Sequence, residues 1–184
     1  FPVRVLHEIV HNDHVVDSFR RRGVIFAEEL DPGWRGGTLI FSAHGVSRAV
    51  EEIARKMEVR LLDATCPLVK GIHRKAAELE AEGYAIVLIG KRSHREIEGV
   101  VGRLNHVPYV VENEDDVKKI PENPEHPLAC LTQTTLSVDD CAGLFELLKE
   151  RIPEIRICGG ICGATTARQR AVKQLAERCR TILV

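Results

Sequence analysis

Short apolar runs alternate with amphipathic stretches along nearly the whole chain. Residues 3–5, 24–26, 38–42, 59–62, 85–89, 109–111, 128–132 and 155–157 carry the brief apolar or β-branched clusters of buried strands. Between them, residues 15–22, 47–57, 68–82, 96–104, 114–120, 138–151 and 166–178 return to an apolar residue every three or four positions, with charges on the opposite face. Val50, Ile53, Ala54 and Met57 mark one such stripe, and Val69, Ile72, Ala76 and Leu79 another. This alternation predicts an α/β fold of small repeated units with largely parallel sheets. The Pro- and Gly-rich segments 31–37 and 121–127 read as turns, and residues 181–184 as a further strand.

The pattern repeats internally. An offset of 96 lays Val59-Arg60-Leu61-Leu62, Cys66, Leu79 and Ile86-Val87-Leu88 over Ile155-Arg156-Ile157-Cys158, Cys162, Leu175 and Ile182-Leu183-Val184. An offset of 90 sets Phe41-Ser42-Ala43-His44-Gly45-Val46-Ser47 against Leu131-Thr132-Gln133-Thr134-Thr135-Leu136-Ser137. The chain thus holds about two copies of one α/β unit. The expected division is 1–65, a first unit without its beginning, then 66–161, a second unit, and 162–184, the start of a third.

Composition narrows the role. Twenty-six Lys plus Arg against twenty-seven Asp plus Glu give a net charge of -1, so no basic field recruits nucleic acid. The apolar run 85–89 is far short of the roughly 18 residues of a membrane span. The opening Phe1-Pro2-Val3-Arg4 has neither an initiator Met nor a signal-peptide pattern, as if cut from a longer chain. Six cysteines without secretory features suggest reduced thiols in a cytosolic compartment.

In open parallel sheets the ligand site lies beyond the carboxyl ends of the strands. The residues expected there are His11, His44, Cys66, His94 with Glu96, Thr134 with Thr135, and Cys162. Cysteines this far apart in sequence suit an iron–sulfur cluster bound by thiolates from separate units. Cys158 and Cys162 could instead bind zinc or act as a redox pair locally. Imidazoles at strand ends suit an anionic group such as phosphate, with or without a metal. Glu96 is a candidate proton donor. Cys130, Cys141 and Cys179 read as core residues, and His7, His14, His73, His106 and His126 as solvated ones.

Six ordered stretches resemble the 4-hydroxy-3-methylbut-2-enyl diphosphate reductase family over the whole chain. They are His7-Glu8-Ile9-Val10-His11-Asn12, Phe41 to Ser47, Asp63-Ala64-Thr65-Cys66-Pro67-Leu68-Val69, His94-Arg95-Glu96-Ile97-Glu98-Gly99, Thr132 to Asp140, and Ile161 to Gln169. The resemblance implies three similar units in a pseudo-threefold ring around a central cavity, of which this chain holds about two. It implies a [4Fe-4S] cluster bound by one cysteine per unit, Cys66 and Cys162 being two of the three, with the remaining iron open to substrate as Lewis acid and electron source. The implied reaction removes the allylic hydroxyl of (E)-4-hydroxy-3-methylbut-2-enyl diphosphate with two electrons and two protons, giving isopentenyl and dimethylallyl diphosphates in the non-mevalonate isoprenoid pathway.

In that picture His11, His44 and His94 hold the diphosphate, Glu96 delivers protons, and Thr134 orders the substrate alcohol. A ferredoxin or flavodoxin supplies electrons, in a bacterial cytoplasm or a plastid stroma. Two features depart from the family pattern within the chain: Arg95 stands where Pro is common, and Gly163 where an aromatic residue is common. The first cluster cysteine would lie upstream of Phe1, and the Ser and Asn of the third unit after Val184. The piece alone is therefore expected to be inactive.

Overall fold

The computed structural model describes residues 2–10 and 12–183. Its elements, in order, are β1 (Val3–Leu6), α1 (Asp13–Arg21), β2 (Val24–Ala27), β3 (Thr38–Phe41), α2 (Arg48–Lys56), β4 (Arg60–Asp63), α3 (Pro67–Ala81), β5 (Ala85–Ile89), α4 (Arg95–Val101), β6 (Tyr109–Val111), α5 (Glu114–Lys118), β7 (Leu128–Thr132), α6 (Val138–Arg151), β8 (Arg156–Ile157) and α7 (Gly163–Ala176). The strands and helices read from periodicity are present, with ends shifted by a few residues at most. The strand expected at 181–184 is the exception. Residues 181–183 are irregular and Val184 lies outside the described residues. A β-branched run becomes a strand only when a neighbour takes up its N–H and C=O groups.

The chain divides into two compact units, residues 1–75 with 93–105, and residues 76–92 with 106–184. In the first, β1 to β4 form a parallel sheet in the order β2-β1-β3-β4. In the second, β5 to β8 form another in the order β6-β5-β7-β8. The two orders are the same permutation, which is the structural form of the sequence repeat. Leu6 is in register with Ala27 and Phe41, and Ile89 with Val111 and Thr132. The loops that follow therefore start from one level of each sheet.

Each unit has its own core. Leu6, Leu39, Phe41, Val46, Ala54 and Met57 pack in the first. Val87, Ile89, Val111, Val117, Leu128, Cys130, Leu144 and Leu148 are among those in the second. Each large apolar side chain so buried contributes about 1.5–3 kcal/mol. The central strands β5 and β7 are buried almost throughout, as parallel strands covered on both faces must be, whereas the outer strand β4 is largely exposed.

Helix starts are fixed locally. Asn12 accepts from Val15 N–H at 3.1 Å to open α1. Ser47 opens α2 and Ser137 opens α6, each accepting at 3.3 Å from the amide three residues on. The two serines stand 90 residues apart, the offset of the repeat. Cys130 and Cys141 are buried as expected, but Cys179 is exposed, because it follows α7, which buries none of its own residues. Among the described residues, no helix is long and apolar enough to cross a membrane.

Candidate active site

In the first unit the loops after β3 and β4 and the start of α4 carry the candidate residues. Beyond β3, Gly45 turns the chain with φ +76°, a left-handed conformation that glycine adopts without a Cβ clash. Beyond β4, Thr65 N–H donates to the Asp63 carboxylate at 3.0 Å, and Lys70 pairs with it at 2.6 Å. Burial pushes the Asp63 pKa up, but the bonds from Lys70 and Thr65 outweigh it and hold the group below its ordinary value. The shaped turn ends at Cys66, whose N–H donates to Ala43 C=O at 3.0 Å. That bond sets the half-buried thiol beside the residue that precedes His44.

His94 caps α4. Its Nδ1 accepts from Glu96 N–H at 3.2 Å, so the proton of the neutral ring sits on Nε2. The His94 ring stands edge-on to His44, with centroids 5.4 Å apart. Glu96, in the first turn of α4, is 2% exposed. Two imidazoles thus meet at the start of a helix whose first turn carries a buried carboxyl. Arg95 turns the other way, pairing with Glu28 at 2.7 Å and Glu98 at 2.8 Å. The pair closes one side of a cleft of about 310 Å³ that is also lined by His7, Val46 and Val50.

The expectation that His73 is solvated fails. The ring is 6% exposed and wedged against two glycines. A Cβ on Gly45 would lie 2.6 Å from His73 Cε1, and one on Gly99 of α4 would lie 3.2 Å from His73 Nε2. Burial, and secondarily Arg103, push the His73 pKa down to about 4, so the ring is neutral. His7 is likewise half-buried, with its pKa lowered by burial and by Arg95. It adopts φ 64° at the end of β1, a strained conformation for a side chain of this kind. His14, His106 and His126 are exposed as expected. His73 could be missed because a histidine on a helical stripe gives no sequence signal of which neighbours cover it.

In the second unit Thr134 follows β7 and is buried. Gln133, whose role the sequence left open, braces this loop. Its N–H donates to Ile89 C=O at 2.8 Å, its Oε1 accepts from Lys91 N–H at 3.1 Å, and its Nε2 donates to Thr135 Oγ1 at 3.1 Å. After β8, Gly159 passes so close to β7 that a Cβ would lie 2.6 Å from Thr132 N. Cys162 is the N-cap of α7 and its N–H donates to Thr134 C=O at 2.9 Å. The amides of Thr165 and Ala164, and secondarily the Thr165 hydroxyl and Arg168, lower its thiol pKa.

Cys66 and Cys162 occupy equivalent places. Each immediately precedes a helix, and each C=O accepts from the amide four residues on, Lys70 at 2.9 Å and Thr166 at 3.0 Å. His11 lies outside the described residues. Among the described residues no three His, Cys, Asp or Glu side chains form a metal-binding group. Each is a half-buried cysteine at a strand-to-helix junction, and in the case of Cys162 backbone N–H groups favour the thiolate.

A family model described as LytB protein matches residues 2–184. The 4-hydroxy-3-methylbut-2-enyl diphosphate reductase of Psychrobacter arcticus is 46% identical, over 100% of this chain and 59% of its own length. That of an Escherichia coli strain (O1:K1 / APEC) is 45% identical, over 100% and 60%. The solved structure of the E-1-hydroxy-2-methyl-but-2-enyl-4-diphosphate reductase from Plasmodium falciparum is 42% identical, with a TM-score of 0.90 over 97% of this chain and 57% of that one. The chain therefore spans about three-fifths of the length of the curated relatives it matches.

Proposed function

Because this chain belongs to the LytB protein family, we propose that it supplies most of the catalytic residues of an enzyme that reductively removes the hydroxyl of (E)-4-hydroxy-3-methylbut-2-enyl diphosphate, yielding isopentenyl and dimethylallyl diphosphates. The observation that carries this reading is the His44–His94 pair, 5.4 Å apart, with Glu96 buried in the helix that His94 caps. It combines donors for an anion with a proton donor shielded from bulk water. The names of the relatives, each a reductase of such a diphosphate, support the substrate class.

In this reading His44 and His94, together with His11, hold the diphosphate. His94 can donate from Nε2 because Glu96 N–H occupies its Nδ1. Glu96 carries the proton that the departing hydroxyl needs, and its burial shields that proton from exchange with bulk water. Thr134, kept in place by Gln133, orders the substrate alcohol and relays that proton. Cys66 and Cys162 would be two thiolates of a [4Fe-4S] cluster. When bound, such a cluster supplies the two electrons, which a ferredoxin or flavodoxin would replenish. The 184-residue chain on its own is proposed to be inactive, since it offers two of the three thiolates.

The test is anaerobic purification of two forms, this chain alone and the same chain with the sequence that flanks it in its gene. The flanked form should be brown, hold about four irons and four sulfides, and convert the allylic diphosphate with a reduced viologen. The isolated chain should bind iron substoichiometrically and not turn over. A colourless, inactive flanked form overturns the reductase reading, and turnover by the isolated chain overturns the claim that it is incomplete.

A further inference from the structure

Helix α7 buries none of its residues, so apolar packing does not hold it against its unit. Polar contacts do. Gln169, one turn beyond Thr165 and on the same face, reaches the segment that joins the Thr134 loop to α6. Its Nε2 donates to Leu136 C=O at 2.7 Å and its Oε1 accepts from Val138 N–H at 3.0 Å. Val138 is the first residue of α6, so its amide has no partner inside that helix. A single planar amide thus serves as both donor and acceptor to a backbone stretch more than thirty residues earlier, much as a strand partner would. The third tie is Cys162 N–H to Thr134 C=O at 2.9 Å.

We propose that Gln169 is a positioning residue that keeps the start of α7, and with it Cys162, in register with the Thr134 loop. The inference rests on the reading of Cys162 and Thr134 as site residues, but its contacts stand without it. Only glutamine fits the geometry. Glutamate can accept from Val138 N–H but sets a carboxylate against Leu136 C=O, leucine fills the space without either bond, and asparagine is one methylene short. Lys173 also ties α7 to the start of α6, through Asp139, but this ion pair is exposed and contributes little.

Amide hydrogen exchange on the metal-free complete gene product tests this. In Gln169→Leu, exchange at Val138 should rise roughly tenfold because its acceptor is gone. Exchange at Cys162, whose own acceptor is untouched, should rise by a comparable factor, while amides of the first unit keep their rates. Gln169→Glu should fall between leucine and wild type, and Lys173→Ala should leave both amides unchanged. In the reconstituted enzyme Gln169→Leu should lower kcat about tenfold with KM within about twofold, the mark of a displaced reacting group and not of weaker binding. Full protection of Cys162 in Gln169→Leu overturns the proposal, whatever kcat does. The exchange result stands or falls independently of whether the wild type proves to be a reductase.

Discussion

The two units share a strand order and a cysteine before a helix, yet they hold their candidate site residues by different means. In the first, hydrogen bonds shape the turn at Cys66, but the loop that bears His44 and the helix that bears Glu96 are set by volume, where Gly45, Gly99 and the neutral His73 ring meet at close contact. In the second, position is set by hydrogen bonds from two glutamine amides, Gln133 to the ends of β5 and β7 and Gln169 to the start of α6. One backbone plan thus places imidazoles and a carboxyl in one unit, and a hydroxyl in the other. The difference predicts opposite sensitivities. The first unit should fail when volume or protonation changes at constant polarity, the second when polarity changes at constant volume.

The sharpest break of the comparison is Gly45→Ala. The new methyl would lie 2.6 Å from His73 and sit on a backbone with φ +76°. Strain of about 1–2 kcal/mol and overpacking of about 1–3 kcal/mol should together destabilise the first unit by roughly 2–5 kcal/mol. Denaturant unfolding with exchange resolved by unit should place the loss in residues 1–75 and 93–105. An equal loss in both units would show that the volume-set junction is not confined to the first.

Acid probes the same junction more gently. His73 has a folded pKa of about 4 against an ordinary 6.5, so between those values the unfolded chain takes up a proton that the folded one refuses. Its contribution is therefore complete above pH 6.5 and is lost as pH falls toward 4, a drop of roughly 2–4 kcal/mol. In His73→Gln the melting temperature of the first unit should lose most of this slope between pH 6.5 and 4. A slope identical to wild type would mean that other groups carry the acid sensitivity.

The smallest effect is the one most specific to the second unit. Gln133→Leu keeps the volume but strands Lys91 N–H and frees Thr135, which should cost about 1–3 kcal/mol. Exchange at Lys91 should accelerate while the first unit is unchanged. A neutral result would sink the claim that amide bonds position this loop.

Much of this was legible in the chain itself. Strand and helix identity followed from apolar spacing, because period two or 3.6 is a property of contiguous residues. The 90- and 96-residue offsets announced that one plan is used twice, and they reappear in the serine caps and in the equivalent turns at Cys66 and Cys162. The motif order was specific enough to name the family before any fold was in view. Tertiary structure decided the rest. His73 read as a solvated histidine because nothing in its own segment announces that glycines from two distant segments close over it. Gln169 read as one more polar residue of a motif because its partners lie more than thirty residues away. The exposed Cys179 and the unpaired run at 181–183 have the same origin. Local composition states what a residue could bury or pair, but burial and pairing happen only when a neighbour from elsewhere in the chain arrives to complete them.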